Sequence, residues 1–217
     1  ERVAAQLEIP FLTFDFEEVY RREVVAYMDL EYATGRTPNP DVVCNEKVKF
    51  DAFYKEAKRL GADFIATGHY AQVKDGVMLE ARDANKDQTY FLYRLKPEVL
   101  RETLFPIGHL LKSEVRALAA ETGLPTASKK DSQGLCFVGK VNMHDFLATR
   151  IPSVPGKVIS KTGEILGEHD GAAYYTIGQR HGLDLGLDKA QFVLARDMKT
   201  STITVTDDKF DPGLMSK

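Results

Sequence analysis

The texture of this chain changes between Gly139 and Pro155, and that change limits what it can fold into. Before it, short apolar runs alternate with longer stretches whose apolar residues recur every three or four positions, the patterns of strands and helices. Glu1 to Glu8 has a helical pattern stopped by Pro10, and Phe11-Leu12-Thr13-Phe14-Asp15-Phe16 alternates apolar and polar as a strand does. A helix is expected from about Glu18 to Tyr32, ending near Gly35. Thr37 to Asn45 carries Pro38 and Pro40 and reads as a loop. Phe50, Phe53, Tyr54, Ala57 and Leu60 then share one helical face, with Gly61 as the stop. Ala62 to Thr67 reads as a short buried strand, leaving Gly68-His69-Tyr70 just past its end. Val115, Leu118 and Ala119 mark a further helix after Ser113, closed by Gly123 and Pro125. Strand, helix, helix, strand predicts a parallel α/β sheet, in which ligands bind beyond the carboxyl ends of the strands.

After Pro155-Gly156 the chain offers short β-like runs at Lys157–Ser160, Glu164–Gly167, Ala173–Ile177, Gln191–Arg196 and Ser201–Thr206, with turn signals such as Lys161-Thr162-Gly163 between them. That pattern predicts a small antiparallel β module. The chain is therefore read as two domains, 1–139 and 140–217.

Composition removes several function classes. With 217 residues, 43% hydrophobic and 28% charged, the chain can bury an ordinary globular core. It contains no membrane-length apolar run and no signal-peptide pattern. Two cysteines make no secreted disulfide framework, so a reducing cytoplasm is the expected compartment and no membrane partner is expected. A net charge of −3 argues against nucleic-acid binding by bulk electrostatics. Lys129-Lys130, Arg180-His181 and Lys47 with Lys49 are small basic spots, or simply solvated surface. The chain opens at Glu1 inside helical sequence and without methionine, and is expected to be an internal piece of a longer protein.

The two thiols stand out by their surroundings. Cys44 follows Thr37-Pro38-Asn39-Pro40-Asp41, and Cys136 follows Lys129-Lys130-Asp131-Ser132-Gln133-Gly134. Packing cysteines are not expected in polar, turn-rich sequence, whereas reactive ones are. A carboxylate in a stiffened loop can move a proton for a substrate, which makes Asp41 a candidate acid/base group. Its charge opposes ionisation of Cys44, whose unperturbed pKa is ~8.5, so a cation or a helix N-terminus would have to assist, and a helix beginning near Asn45 offers that dipole. Lys129 and Lys130 favour a Cys136 thiolate. The plain alternatives are an ordinary Asn-Pro-Asp turn and a Cys136 buried between Leu135 and Phe137. If the loops meet, redox or sulfur chemistry follows.

Other chemistries lack their signatures. Histidines and cysteines show no zinc-ligand spacing, no nucleophile elbow supports serine hydrolysis, and neither GxxxxGK[ST] nor GxGxxG occurs. Lys86-Asp87-Gln88, ahead of Tyr90-Phe91-Leu92-Tyr93, could contact phosphate through Lys86 and a base or sugar through Gln88, or could be a polar helix start.

Taken together, five ordered motifs resemble the bacterial-type tRNA-specific 2-thiouridylases of the PP-loop ATP pyrophosphatase group. They are Thr37-Pro38-Asn39-Pro40-Asp41-x-x-Cys44-Asn45, Ala66-Thr67-Gly68-His69-Tyr70, Asn85-Lys86-Asp87-Gln88-x-Tyr90-Phe91-Leu92, Asp131-Ser132-x-Gly134-x-Cys136-Phe137 and Tyr175-Thr176-x-Gly178-Gln179-Arg180-x-Gly182-Leu183. The resemblance spans nearly the whole chain. It implies an adenine nucleotide hydrolase-like α/β domain, incomplete at its N-terminus, followed by a β-rich central domain. It also implies ATP with Mg as its counter-ion, adenylation of the C2 oxygen of a wobble uridine in tRNA, and replacement of that oxygen by sulfur. Cys136 is the implied persulfide carrier, loaded by a sulfur-relay protein or cysteine desulfurase. Cys44 is the implied nucleophile that releases sulfur through a transient disulfide bond. Asp41 is implied as acid/base, with Asn39 and Pro40 lining the target base. Gly68 falls at the ATP site, and His69, Lys86, Asp87 and Gln88 are implied tRNA contacts. The family's Ser-Gly-Gly-x-Asp-Ser loop is absent and would lie upstream of Glu1, and the family's C-terminal β-barrel would begin where the chain stops. Such a piece is expected to be inactive alone. The alternatives are a tRNA-binding or scaffold fragment, another PP-loop adenylating enzyme, and a dithiol redox protein.

Overall fold

The computed structural model describes residues 1–129, 139 and 142–214, and the chain divides into two compact units, Glu1–Val25 with Asn39–Gly139 and Ala26–Pro38 with Lys140–Lys217. Among the described residues no helix is long and apolar enough to cross a membrane.

The first unit opens with α1 (Arg2–Gln6), whose Gln6 Nε2 donates to the Gly123 carbonyl at 3.1 Å. The strand expected over Phe11–Phe16 does not form. Residues 9–16 enter no ladder, and Phe11 and Leu12 are 56% and 64% exposed. Alternation sets which way side chains point, but a strand exists only where a neighbouring edge takes its backbone hydrogen bonds. The next helical run comprises α2 (Glu17–Tyr20), a π-helical stretch Arg21–Val25 and, belonging to the second unit, α3 (Ala26–Ala33). Asp15 Oδ1 accepts the Glu17 N–H at 2.8 Å at its start. Gly35, at φ +78°, follows its end.

The expected loop from Thr37 to Asn45 is instead the start of a long helical run. This comprises α4 (Pro40–Cys44), a π-helical stretch Asn45–Phe53 and α5 (Tyr54–Arg59), with Gly61 at φ +89° beyond it. Proline is a breaker inside a helix but suits its first position, where the missing N–H would be unpaired anyway. Asn39 completes the start, its Oδ1 accepting the Asp41 and Val42 N–H groups at 3.2 and 3.3 Å.

β1 (Ile65–Ala66) pairs in parallel with β4 (Thr103–Leu104), in the register Ile65↔Thr103. Between them lie the hairpin β2 (Gln72–Lys74) and β3 (Val77–Leu79) and the helix α6 (Pro97–Arg101). Asp75 and Gly76 turn the hairpin at φ +53° and +77°, as a tight primed turn requires. α7 (Lys112–Glu121) closes the unit, and Gly123 at φ +66° stops it as expected. Phe50, Ile65, Ala71, Leu92, Leu100 and Phe105 form the core beneath β1.

In the second unit, α8 (Met143–Ala148) is capped by Asn142 Oδ1. The sheet of β5 (Gly156–Ser160), β6 (Ile165–His169), β7 (Phe192–Asp197) and β8 (Thr202–Thr206) has the order β6-β5-β8-β7. Only its outer pairs are antiparallel; β5 and β8 run in parallel, with Val158 opposite Ile203. The expected antiparallel module is thus two hairpins whose inner strands meet in the same direction. The long connection from 170 to 191 makes that possible. Ala173–Ile177 is not a strand but a 3₁₀ turn, Ala172–Tyr174, and an extended step. Its side chains take over the bonding: Tyr174 donates to the Ile151 carbonyl at 2.7 Å and Tyr175 to that of Gly182 at 3.0 Å. Half-buried Arg196 donates to the carbonyls of Tyr175 and Gly35 and to Thr37 Oγ1.

Candidate active site

The Asn39–Cys44 segment is set by its helix start. Pro40 holds the first helical position, Asp41 the second, where a carboxylate suits the positive end of the helix. Cys44 follows Asp41 by three positions, which on a helix places their Cβ atoms about 5–6 Å apart on one side. Cys44 itself is 0% exposed, flanked by buried Val42 and Val43, with buried Val48 one turn on. The sequence placed this thiol in a polar loop; the helix turns it inward, with the valines. No helix begins at Asn45 to activate it, because the run begins five residues earlier and the dipole acts within its first turn. In this conformation the residue presents no surface to a reagent in solution.

The residue after Cys44 ties this helix to the segment that follows Lys86. Asn45, also buried, donates from Nδ2 to the Phe91 carbonyl at 3.0 Å. That segment is tied in turn to the end of β1. Gln88 Oε1 accepts the Tyr70 N–H at 2.9 Å, while the Gln88 N–H donates to the Tyr70 carbonyl at 2.8 Å. Asp87 is occupied in the same way, accepting from the Ala81 N–H at 2.7 Å and from Thr89 Oγ1 at 2.5 Å. Two of the three residues singled out at Lys86-Asp87-Gln88 therefore build the loop.

Gly68, Tyr70, Asn85, Lys86, Asp87, Gln88 and Lys112 line one cavity of about 450 Å³. Gly68 stands at the carboxyl end of β1, and a Cβ there would meet no atom within 4 Å, so its backbone is open to an approaching group. Lys112, the first residue of α7, lies with Nζ 5.3 Å from the Tyr70 ring centroid. Its backbone N–H is held by Asp83 Oδ2 at 2.9 Å. Nothing in the sequence reading pointed to Lys112. A signal was available: a cation in the first turn of a helix opposes the helix dipole, and such local misfits cluster at functional sites.

His69 does not line this cavity. Its ring packs against Phe50 and Phe105, at 5.8 and 6.3 Å between centroids, with Nδ1 2.9 Å from Thr67 Oγ1. Burial, reinforced by the nearby Lys49 charge, pushes its pKa down to about 4, so the ring is neutral at neutral pH. The structure thus gathers Gly68 with Lys86, Asp87 and Gln88, and Asn39, Pro40, Asp41 and Cys44 on one helix start. Cys136, with all of Asp131–Phe137, lies outside the described residues.

Comparison with known proteins gives this geometry a lineage. A family profile described as the tRNA methyl transferase HUP domain matches residues 1–140, and one described as the tRNA methyl transferase PRC-barrel domain matches residues 144–207. The tRNA-specific 2-thiouridylase MnmA of Alkaliphilus oremlandii is 48% identical over 223 residues, spanning 100% of this chain and 61% of its own length. Its namesake in Listeria monocytogenes is 50% identical over 209 residues (94% of this chain, 56% of the relative), and that of Streptococcus agalactiae 49% over 224 (99% and 60%). The chain belongs to the tRNA-specific 2-thiouridylase family. It spans about three fifths of the length of these curated relatives. A HUP domain with a parallel sheet precedes a small PRC-barrel-like β domain.

Proposed function

We propose that this chain carries the thiol chemistry and part of the ligand site of an ATP-dependent tRNA uridine 2-sulfurtransferase. Residues 1–139 form its catalytic domain and 140–217 a β-rich central domain. The observation that carries the reading is the capped helix start at Asn39, which presents Asn39, Pro40 and Asp41 together one turn ahead of Cys44, in a chain about half identical to named thiouridylases.

ATP, with Mg, supplies the activation that turns the C2 oxygen of the wobble uridine into a leaving group. The cavity beside Gly68 fits a polyphosphate: it is ligand-sized, has an open glycine and carries two lysines. Asn39 and Pro40 line the target base, and Asp41, within reach of the same edge, moves the proton. Cys136, loaded as a persulfide by a relay protein or desulfurase, attacks C2 through its outer sulfur, and the C2–O bond breaks with its electron pair leaving on the activated oxygen, released as AMP. The Cys44 thiolate then attacks Cys136 Sγ. The S–S bond to the outer sulfur breaks, its electron pair stays on the sulfur now bound to C2, and a Cys44–Cys136 disulfide forms for an external dithiol to reduce. Lys86 meets tRNA phosphate, and Asp87 and Gln88 hold that loop in place. His69, being neutral, acts on RNA as a hydrogen-bond or stacking partner. Burial of Cys44 supports this order of events, since its thiol is shielded before the reaction begins.

The test uses the complete gene product that carries this sequence, with a cysteine desulfurase and relay protein, ATP and tRNA. Cys136→Ser is expected to abolish persulfide loading, whereas Cys44→Ser keeps the loading and loses turnover, both read by mass spectrometry. Equal persulfide on both variants would refute the division of roles.

A further inference from the structure

Residues 90–96 line two cavities of the first unit that the proposed chemistry does not use. One, of about 380 Å³, is lined by Tyr90, Tyr93 and Leu95 with Met78 and Leu79 of the β2–β3 hairpin. The other, of about 320 Å³, is lined by Arg94, Leu95 and Lys96 with Lys47 and Lys55 of the helical run that starts at Pro40. We propose that this surface binds a single-stranded stretch of RNA, its bases stacked on Tyr90 and Tyr93 and its phosphates held along Arg94, Lys96, Lys47 and Lys55. For its natural ligand the site rests on the reading of the chain as a tRNA-modifying protein.

The first support is an aromatic pair left open to solvent. Tyr90 and Tyr93 are 65% and 66% exposed, and their rings stand 6.2 Å apart between centroids at 42°. Large rings gathered at a surface keep apolar area in water that a stacked base would cover. The pair is fixed from beneath. Leu92, between them in sequence, is fully buried, the Leu95 N–H donates to the Leu92 carbonyl at 3.0 Å, and the Phe91 carbonyl accepts from Asn45. A platform held in this way needs little ordering when a ligand arrives.

The second support is charge. The lining beside Arg94 sets four cations against two carboxylates, Glu46 and Asp51, in a chain whose net charge is −3. Glu46 is shared by Lys47 at 2.8 Å and Arg94 at 2.7 Å, so one carboxylate offsets two cations. On the aromatic side the only charged lining residue is Glu80, which repels phosphate there. Bases toward the tyrosines and backbone toward Arg94 is therefore the orientation that both linings favour. A cationic groove beside exposed aromatic rings is the pattern that holds unpaired nucleic acid. An acidic peptide would use the cations and leave the rings in water, and an apolar one would do the reverse.

The test reads binding without ATP, sulfur donor or turnover, so its failure is distinct from failure of the thiouridylase reading. Fluorescence anisotropy on the complete gene product measures affinity for a labelled oligouridine and for an RNA duplex. Tyr90→Ala and Tyr93→Ala are each expected to weaken oligouridine binding by about tenfold, the worth of one stacked base, with the salt dependence unchanged. Tyr93→Phe, which keeps the ring, should stay within about twofold of wild type. Lys96→Gln should weaken binding and reduce the slope of log affinity against log salt by about 0.7. Duplex affinity should not respond to the tyrosine variants, because its bases are already stacked on one another. Both rings are exposed, so circular dichroism should show wild-type folding in each variant. Oligouridine affinities within about twofold of wild type in both alanine variants, as a surface kept for a protein partner would give, would overturn the site. Equal losses for oligouridine and duplex would overturn it as well.

Discussion

His69 offers the most direct check on the packing behind β1. Its pKa falls from 6.5 to about 4, chiefly because burial against Phe50 and Phe105 penalises the imidazolium. In the unfolded chain the ring takes up its proton below about pH 6.5, while the folded ring does so only below about 4. Between those values the unfolded state binds more protons, so stability must fall as pH falls through this window and level off below it. At pH 5 the linkage relation gives about 2 kcal/mol lost relative to pH 7, and about 1–2 kcal/mol after allowance for the ring's residual exposure. His69→Phe keeps a ring in the aromatic cluster and removes the titration. Urea unfolding of both proteins at pH 7 and pH 5, followed by circular dichroism, isolates the effect, because carboxylates titrate alike in both. Wild type should lose more than His69→Phe by that amount. If the two lose equally, within about 0.3 kcal/mol, the ring is not held neutral by burial and the reasoning fails. The same neutrality requires that any contribution of His69 to tRNA affinity stay constant between pH 7.5 and 6.

Two further outcomes test the scaffold of the site. Gln88→Leu leaves the Tyr70 N–H without its acceptor and should cost about 1–3 kcal/mol in thermal unfolding, while Gln88→Glu, which keeps an acceptor, should cost less. Arg196→Met strands the carbonyls of Gly35 and Tyr175 in the second unit and should cost about 2–3 kcal/mol, with Arg196→Lys recovering part of it; a neutral Arg196→Met would show that these bonds are exchanged freely with water.

Much of this protein could be read along the chain, because much of it is local. The helix stops at Gly61 and Gly123, the place of Gly68 beyond a short strand, and the β runs at Lys157–Ser160, Gln191–Arg196 and Ser201–Thr206 follow from residue types and spacing. The ordered motifs around Cys44, Gly68, Lys86 and Tyr175 were enough to indicate the thiouridylase family, and the comparisons agree. Local signals misled where their meaning depends on neighbours. Two prolines suggested a loop, but with Asn39 as a cap the second of them begins the helix that buries Cys44. Alternation over Phe11–Phe16 suggested a strand, but no neighbouring edge among the described residues takes its hydrogen bonds.

Tertiary structure alone decided the rest. It assigned Asp87 and Gln88 to holding the loop, because their partners, Ala81 and Tyr70, lie 6 and 18 residues away. It drew Lys112 into the cavity of Gly68 and Lys86, 44 and 26 residues distant in sequence, and among the described residues it left the buried Tyr70 hydroxyl without a hydrogen-bond partner. Spacing along a chain fixes which way a side chain faces; which faces meet, and which polar groups remain unpaid, is settled only when the core closes.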